Sequence, residues 1–349
     1  MIDEPPTAVA ASTPTPPARR GPAAILKSTW FRVLLALLVL AALAYFNRID
    51  PRAFAQLGER WPWLALAFLL MLPTYLIVSC RFWLVLRNQG IAVPFGVALR
   101  WTMIGSFFDL AMPSNSGGDI VKGAYVVKHV GQGSRMRGVM AVAFDRVLGL
   151  IGLFLLSSIA VVVGWKYVQQ IPGSSRLLVL LPLVTVGSLA FFRIFGSRRL
   201  YRNEWLARTM LRLPGGSLLR QVIGSFNSLR EQPMQFVWVM ALSVANHAFW
   251  CAALLCITVA FGLSIAVVQG FAVFPLAIFG NTFGFAGGFG VGTAAFDLVF
   301  SSLLHVSAGA AIGLTFQVLT AISRLSGLPF YLHDPERAKR GAREDPIRP

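Results

Sequence analysis

Residues Trp101–Leu150 read WTMIGSFFDLAMPSNSGGDIVKGAYVVKHVGQGSRMRGVMAVAFDRVLGL. The apolar run Trp101–Met112 is too short to cross a bilayer, which takes about 20 residues as a helix. It stops at Pro113-Ser-Asn-Ser-Gly-Gly118, so the chain must enter the apolar layer and turn back. Asp119–Val130 then carries Lys122, Lys128 and His129 among Val, Ala and Tyr, and a full-length apolar segment begins only after Arg135-Met-Arg137. That segment holds Asp145-Arg146. A helix broken by Gly, Ser and Asn at membrane depth leaves backbone groups unpaired, which is tolerated only against protein or a wet cavity. The stretch therefore reads as a site.

The rest of the chain has the composition of a polytopic helical membrane protein: 349 residues, 56% hydrophobic, 13% charged, mean hydropathy +0.67. In such a protein a net charge of +17 reports topology and attraction to anionic headgroups. No basic module with interleaved aromatics is present to suggest a nucleic acid partner. Cys80, Cys251 and Cys256 all sit in apolar runs and read as small core residues. The four histidines share no metal-ligand spacing, and neither a nucleophile–base pair nor a nucleotide-binding glycine loop follows a strand. No metal or other cofactor is expected.

Read outward, residues 1–27 form a Pro-, Ala- and Thr-rich tail of disordered type. Residues 28–332 form the membrane domain, and 333–349 form a basic tail. Spans are expected at Val33–Phe46, Trp61–Leu86, Arg137–Val163, Leu177–Phe195 and Met234–Phe261, with a last one running to Leu332. Between the fourth and fifth lies Gly196–Gln232, whose seven arginines suit a surface-lying or loop segment. A second apolar segment, Ile265–Phe285, runs into Gly284-Phe-Ala-Gly-Gly-Phe-Gly-Val-Gly292, and is also read as re-entrant.

The two halves, about 30–163 and 177–332, thus share one grammar: span, span, broken pair, span. Both broken pairs turn at Gly-Gly, Gly117-Gly118 and Gly287-Gly288 with Gly290, and each is followed by a span containing Asp145-Arg146 or Ser323-Arg324. Three spans per half reverse the second half relative to the first. The fold class is an all-α integral membrane protein with six spans and two re-entrant hairpins in two inverted-topology repeats, the arrangement of alternating-access transporters. With the N-terminus inside, twenty-one basic residues lie on the inner side and five (Arg48, Arg52, Arg60, Lys166 and Arg176) on the outer. That bias places both termini in the cytoplasm of a multi-pass inner-membrane protein.

Three motifs in order, Gly117-Gly118-Asp119 with Lys122 three on, Asp145-Arg146-x-x-Gly149, and the late GGFGVG turn before the Arg324 span, resemble the integral-membrane domain of lysylphosphatidylglycerol synthases. The resemblance covers roughly residues 30–330. That family includes stand-alone membrane proteins and domains joined to polyprenyl-phosphate glycosyltransferases or encoded near hopanoid genes, and it implies movement or presentation of a lipid across the bilayer. Two positions depart from its pattern. Thr293 stands where a glutamate usually follows the late glycine turn, and Lys122 stands where arginine is frequent. The soluble lysyl-transfer domain has no counterpart here, so synthase activity is not expected.

The charged residues at membrane depth each need a partner or water, because burying one unpaired costs about 2.5–3.5 kcal/mol on insertion scales. Asp145 and Arg146 are helix neighbours about 100° apart and cannot pair with each other. Arg81, Arg146 and Arg324, with Lys122 at the mouth of the broken pair, are the expected binding groups for a lipid phosphate, since guanidinium grips phosphate bidentately. The plainer alternative is that the arginines snorkel to the headgroups. Half-helix N-termini at Gly118 and Gly292 offer further donors. Asp119 is expected as an N-cap, a counter-ion to Lys122 or a proton carrier, and Asp145 as a counter-ion or proton carrier. The leading function is a transporter or flippase for an anionic lipid, either a phospholipid or a polyprenyl-phosphate-linked sugar. The alternatives are an embedded enzyme using Asp119 or Asp145 as base, or an accessory to a lipid glycosyltransferase.

Overall fold

A computed structural model describes residues 57–111, 117–131, 135–170, 174–195, 231–282 and 288–334. It also describes Leu38, Ala41, Tyr45, Phe54, Ala55, Gly224, Phe226 and Ser228 singly. Most of the first expected span, residues 112–116, Gly287, most of the basic segment 196–232 and the tails 1–27 and 335–349 lie outside the described residues. Every regular element among the described residues is helical.

The first long helix, α1 (Trp61–Asn88), has Pro62 in its first turn, where a missing N–H breaks no helical bond. Trp61 and Trp63 are exposed at that end, as membrane-interface anchors are. It ends in a Schellman turn. Gly90 takes φ 74°, its N–H donates to Arg87 O (3.0 Å), and Ile91 N–H donates to Leu86 O (2.9 Å). Four residues later α2 (Phe95–Ala111) begins. It therefore starts ahead of the apolar run at Trp101 and takes in Arg100.

The same unit recurs. α7 (Pro233–Ala260) is also 28 residues long and also opens on proline. It closes on Gly262 at φ 76°, whose N–H donates to Val259 O (2.9 Å) while Leu263 N–H donates to Thr258 O (3.0 Å). Four residues on, α8 (Val267–Asn281) begins. Each unit continues into a second short helix, α3 (Gly117–Val130) after α2 and α9 (Val291–Leu303) after α8, and then into a further helix, α4 (Arg135–Val163) or α10 (Gly309–Arg324). Between the units stand α5 (Trp165–Val168) and α6 (Ser174–Phe195).

Among the described residues, four helical stretches are long and apolar enough to cross a membrane: α1, α4, α7 and Gly309–Leu332. α8, with 15 residues, rises only about 22 Å, short of a hydrocarbon core of about 30 Å. The last stretch departs from one continuous span. After α10 the chain tightens into a 3-10 turn, Leu325–Gly327, before α11 (Leu328–Leu332). This turn lies tight against α2, where a Cβ on Gly327 would lie 2.1 Å from the Met103 carbonyl oxygen.

Small residues set the helix spacing, as in membranes where packing replaces the hydrophobic effect. A Cβ on Gly152 of α4 would meet the Cβ of Ser243 on α7 at 2.3 Å. α1 packs most extensively on α7, and α2 pairs with α3 as α8 pairs with α9. Three apolar cores result among the described residues. One surrounds Phe82, Val85, Phe144 and Leu148, a second surrounds Leu254, Phe274, Phe296 and Phe316, and a smaller third surrounds Val161, Leu181 and Val273.

Aligning the units by helix starts revises one correspondence. Asp145-Arg146 are the eleventh and twelfth residues of α4, whereas Ser323-Arg324 are the fifteenth and sixteenth of α10. Arg324 therefore lies about one turn, roughly 6 Å, further along its helix than Arg146 does, and the two arginines are not equivalent.

Candidate functional site

The first hairpin is held closed by glycine and acid. α2 and α3 touch at Gly105 and Gly118, where a Cβ on Gly118 would fall 2.2 Å from the Gly105 carbonyl oxygen. Neither Gly117 nor Gly118 has positive φ; both open α3 and are buried. Gly118 is needed for close approach to α2. Asp109 near the end of α2 accepts the Gly118 N–H at 2.7 Å. It performs the capping expected of Asp119, and the α3 donor expected to face an anion is already taken.

Asp119 is thereby free to face sideways. Its Oδ1 lies 3.0 Å from Lys122 Nζ, an i,i+3 pair on α3, and its Oδ2 accepts from Arg146 Nη1 of α4. Lys122 reaches Asp145 Oδ2 at 3.5 Å with its ammonium 5.1 Å from the Phe82 ring centre, a cation–π distance. Asp145 Oδ1 in turn accepts from Arg81 Nε at 2.7 Å. Three helices thus contribute one chain of charge: Arg146, Asp119, Lys122, Asp145 and Arg81. Asp145 and Arg146 each pair elsewhere, as their spacing on the helix required.

Arg81 does not snorkel. Its side chain is 7% exposed, and Asp145 is 2% exposed. Gly149 makes the room, because a Cβ there would sit 2.8 Å from Arg81 Nη1. On the far side Arg81 Nη1 donates to Ser243 Oγ (3.4 Å), and His247 Nε2 donates to the Gly149 carbonyl at 3.0 Å. α7 therefore closes the cluster. The motif Asp145-Arg146-x-x-Gly149 acquires a physical meaning: an acid for the buried arginine, an outward arginine, and a gap for the guanidinium one turn along.

Arg324 stands at the other end. It acts electrostatically on Asp109 and Tyr75, and Tyr75 Oη lies 2.7 Å from Ser323 Oγ. Asp109 in turn holds the Gly118 N–H. Arg81, Lys122 and Arg146 join one network, but Asp119 and Asp145 interleave them, so they form no open cationic bowl.

The second hairpin is closed by neutral groups. Gly288 at φ 109° and Gly290 at φ 79° bend the chain before α9. Gln317 of α10, fully buried, donates to Asn281 Oδ1 (2.8 Å) and to the Gly288 carbonyl (2.9 Å), and accepts from Thr293 Oγ1 (2.8 Å). Asn281 Oδ1 also sits where a Cβ on Gly288 or Gly292 would go, 2.2 and 2.3 Å away. Thr293, the departure from the expected glutamate, is a working member of this clamp. Asp109, Ser243, Asn281 and Gln317 were missed as site residues, and the last two had a signal in being amides inside apolar runs.

The family model for the lysylphosphatidylglycerol synthase transmembrane region matches residues 29–325. The chain belongs to that family. Comparison with curated proteins and comparison with solved structures found no match. The match takes in both hairpins and the whole charged cluster, so the family supports a multi-pass membrane protein with a lipid-related role.

Proposed function

We propose that the protein carries an anionic lipid between the leaflets of the inner membrane, binding its phosphate at the first hairpin. The observation that carries this is the half-exposed Arg146–Asp119 pair above the buried Lys122–Asp145–Arg81 chain. Charge held at membrane depth by three helices costs stability, so a polar substrate is the natural reason for keeping it. An apolar groove lined by Val147, Leu150, Phe154, Val184 and Phe191 runs between α4 and α6. It starts at the residue after Arg146 and suits a lipid tail whose headgroup sits at that arginine. The recurrence of the α1–α2 unit as α7–α8 supports an inverted repeat with two half-crossing hairpins, and the basic bias supports cytoplasmic termini.

An embedded enzyme would need Asp119 or Asp145 as base, yet both oxygens of each are engaged by cations, which favours binding over proton abstraction. The test is reconstitution of the full chain into vesicles containing fluorescent phosphatidylglycerol. Label should move between leaflets with its headgroup chemically unchanged. Movement no faster than in protein-free vesicles, or conversion of the headgroup, would overturn the proposal.

A further inference from the structure

The cluster is nearly neutral, and the outer of its two bridging acids has the form of a ligand. Arg81, Lys122 and Arg146 face Asp119 and Asp145, which leaves one positive charge. Exposure divides the group sharply: the side chains of Arg81, Lys122 and Asp145 are 7%, 9% and 2% exposed, those of Arg146 and Asp119 33% and 23%. Access from outside is therefore through Arg146 and Asp119. Asp119 spends one oxygen on Lys122 and the other on Arg146. Two equivalent oxygens sharing one negative charge, each on a different cation, is also how the non-bridging oxygens of a phosphodiester would sit.

We infer that the Asp119 carboxylate holds the place of a lipid phosphodiester, and that the lipid enters by displacing Asp119 from Arg146 and Lys122. This rests on the phosphate-binding reading above and adds the substrate class and the exchange. One phosphodiester restores the charge balance that Asp119 gave. A phosphomonoester, with about −1.5 to −2 charge, exceeds it. Lys122 and Arg81 keep their contacts with Asp145 throughout, so only the side facing Asp119 changes partner. Asp119 lies in the first turn of α3, so its release loosens the hairpin from α4 when the headgroup arrives. Binding and opening of the hairpin are thereby one event.

The experiment measures lipid binding to the detergent-purified full chain by native mass spectrometry, with phosphatidylglycerol, phosphatidate and phosphatidylcholine as probes. Wild-type protein should prefer phosphatidylglycerol. Asp119→Asn, which removes the competing charge but leaves Lys122 its partner Asp145, should bind phosphatidylglycerol on the order of tenfold more tightly. It should gain still more for phosphatidate. Asp119→Glu keeps the competitor and should stay within a factor of a few of wild type. Arg146→Gln should lose both anionic lipids. Unchanged or weaker phosphatidylglycerol binding in Asp119→Asn, alongside loss in Arg146→Gln, would overturn the exchange and leave the phosphate site standing. Equal tightening in Asp119→Asn and Asp119→Glu would overturn charge competition as its cause. No effect of Arg146→Gln on anionic lipid binding would overturn the phosphate site itself.

Discussion

The two hairpins occupy matching places in the chain but are closed by opposite chemistry. In the first, α3 is bound to its neighbours by Asp119, Lys122, Asp145, Arg146 and Arg81; in the second, α9 is bound to α10 by Gln317, Thr293 and Asn281. A neutral clamp in which the Gln317 amide nitrogen and oxygen are both satisfied has nothing left for a charged ligand. Ion pairs can exchange one anion for another without leaving a charge bare. Under the proposed function, ligand exchange belongs to the first hairpin and support to the second.

The comparison breaks most severely at Asp145. Asp145→Ala leaves Arg81 buried without its acid and Lys122 with Asp119 alone, and a buried pair broken from one side costs about 3–5 kcal/mol. A thermal melt of purified protein should show that loss, and Arg81→Met with Asp145→Leu should recover much of it. Full stability in Asp145→Ala would mean the cluster does not hold α1, α3 and α4 together.

Next come the glycine contacts. Gly118→Val drives a side chain into the Gly105 carbonyl, and Gly288→Val adds a β-branched residue at φ 109° against Asn281. Overpacking of this kind costs about 1–3 kcal/mol, while the long helices keep the protein inserted. Both variants should stop lipid movement. If the hairpins serve opposite faces of an alternating site, a leaflet-specific crosslinking lipid should label Gly118→Val from one leaflet and Gly288→Val from the other. Equal labelling from both leaflets in both variants would remove the alternating mechanism and leave the fold intact.

Smaller effects should follow in the neutral clamp. Gln317→Leu removes three hydrogen bonds and leaves Thr293 and Gly288 short of partners, a loss of about 1–3 kcal/mol. The melt should fall while binding of phosphatidylglycerol stays within a factor of two or so. A selective loss of lipid binding there would show that the second hairpin also touches ligand. The inversion of the halves is sharpened by labelling: Gly173→Cys and Ser264→Cys should react from outside, Ser217→Cys and Ala342→Cys only from the cytoplasm. Outside reaction at position 342 would defeat the six-span topology.

The long spans and the broken segments were legible because hydropathy and glycine are local signals. Trp61 and the apolar run behind it to Leu86 can be read along the chain. So could the i,i+3 pair of Asp119 and Lys122, and the rule that adjacent Asp145 and Arg146 must look elsewhere. Their partners were not legible. Arg81 meets Asp145 across 64 positions, and no spacing rule reaches that far. Asp145-Arg146 and Ser323-Arg324 were matched by residue type, and counted from the starts of α4 and α10 the two pairs lie about one turn apart. Gly118 was read as a turn residue, yet its reason lies on another helix, at Gly105.

The central claim is that anionic lipid is handled at Arg146 and not in the neutral clamp. The most direct measurement is the rate at which fluorescent phosphatidylglycerol moves between leaflets in vesicles carrying wild type, Arg146→Lys, Arg146→Gln or Gln317→Leu at equal protein density. The account predicts a stop in Arg146→Gln, a partial loss in Arg146→Lys, which keeps the charge but not the two-pronged grip, and near wild-type movement in Gln317→Leu below its melting temperature. Wild-type movement in Arg146→Gln with loss confined to Gln317→Leu would contradict it.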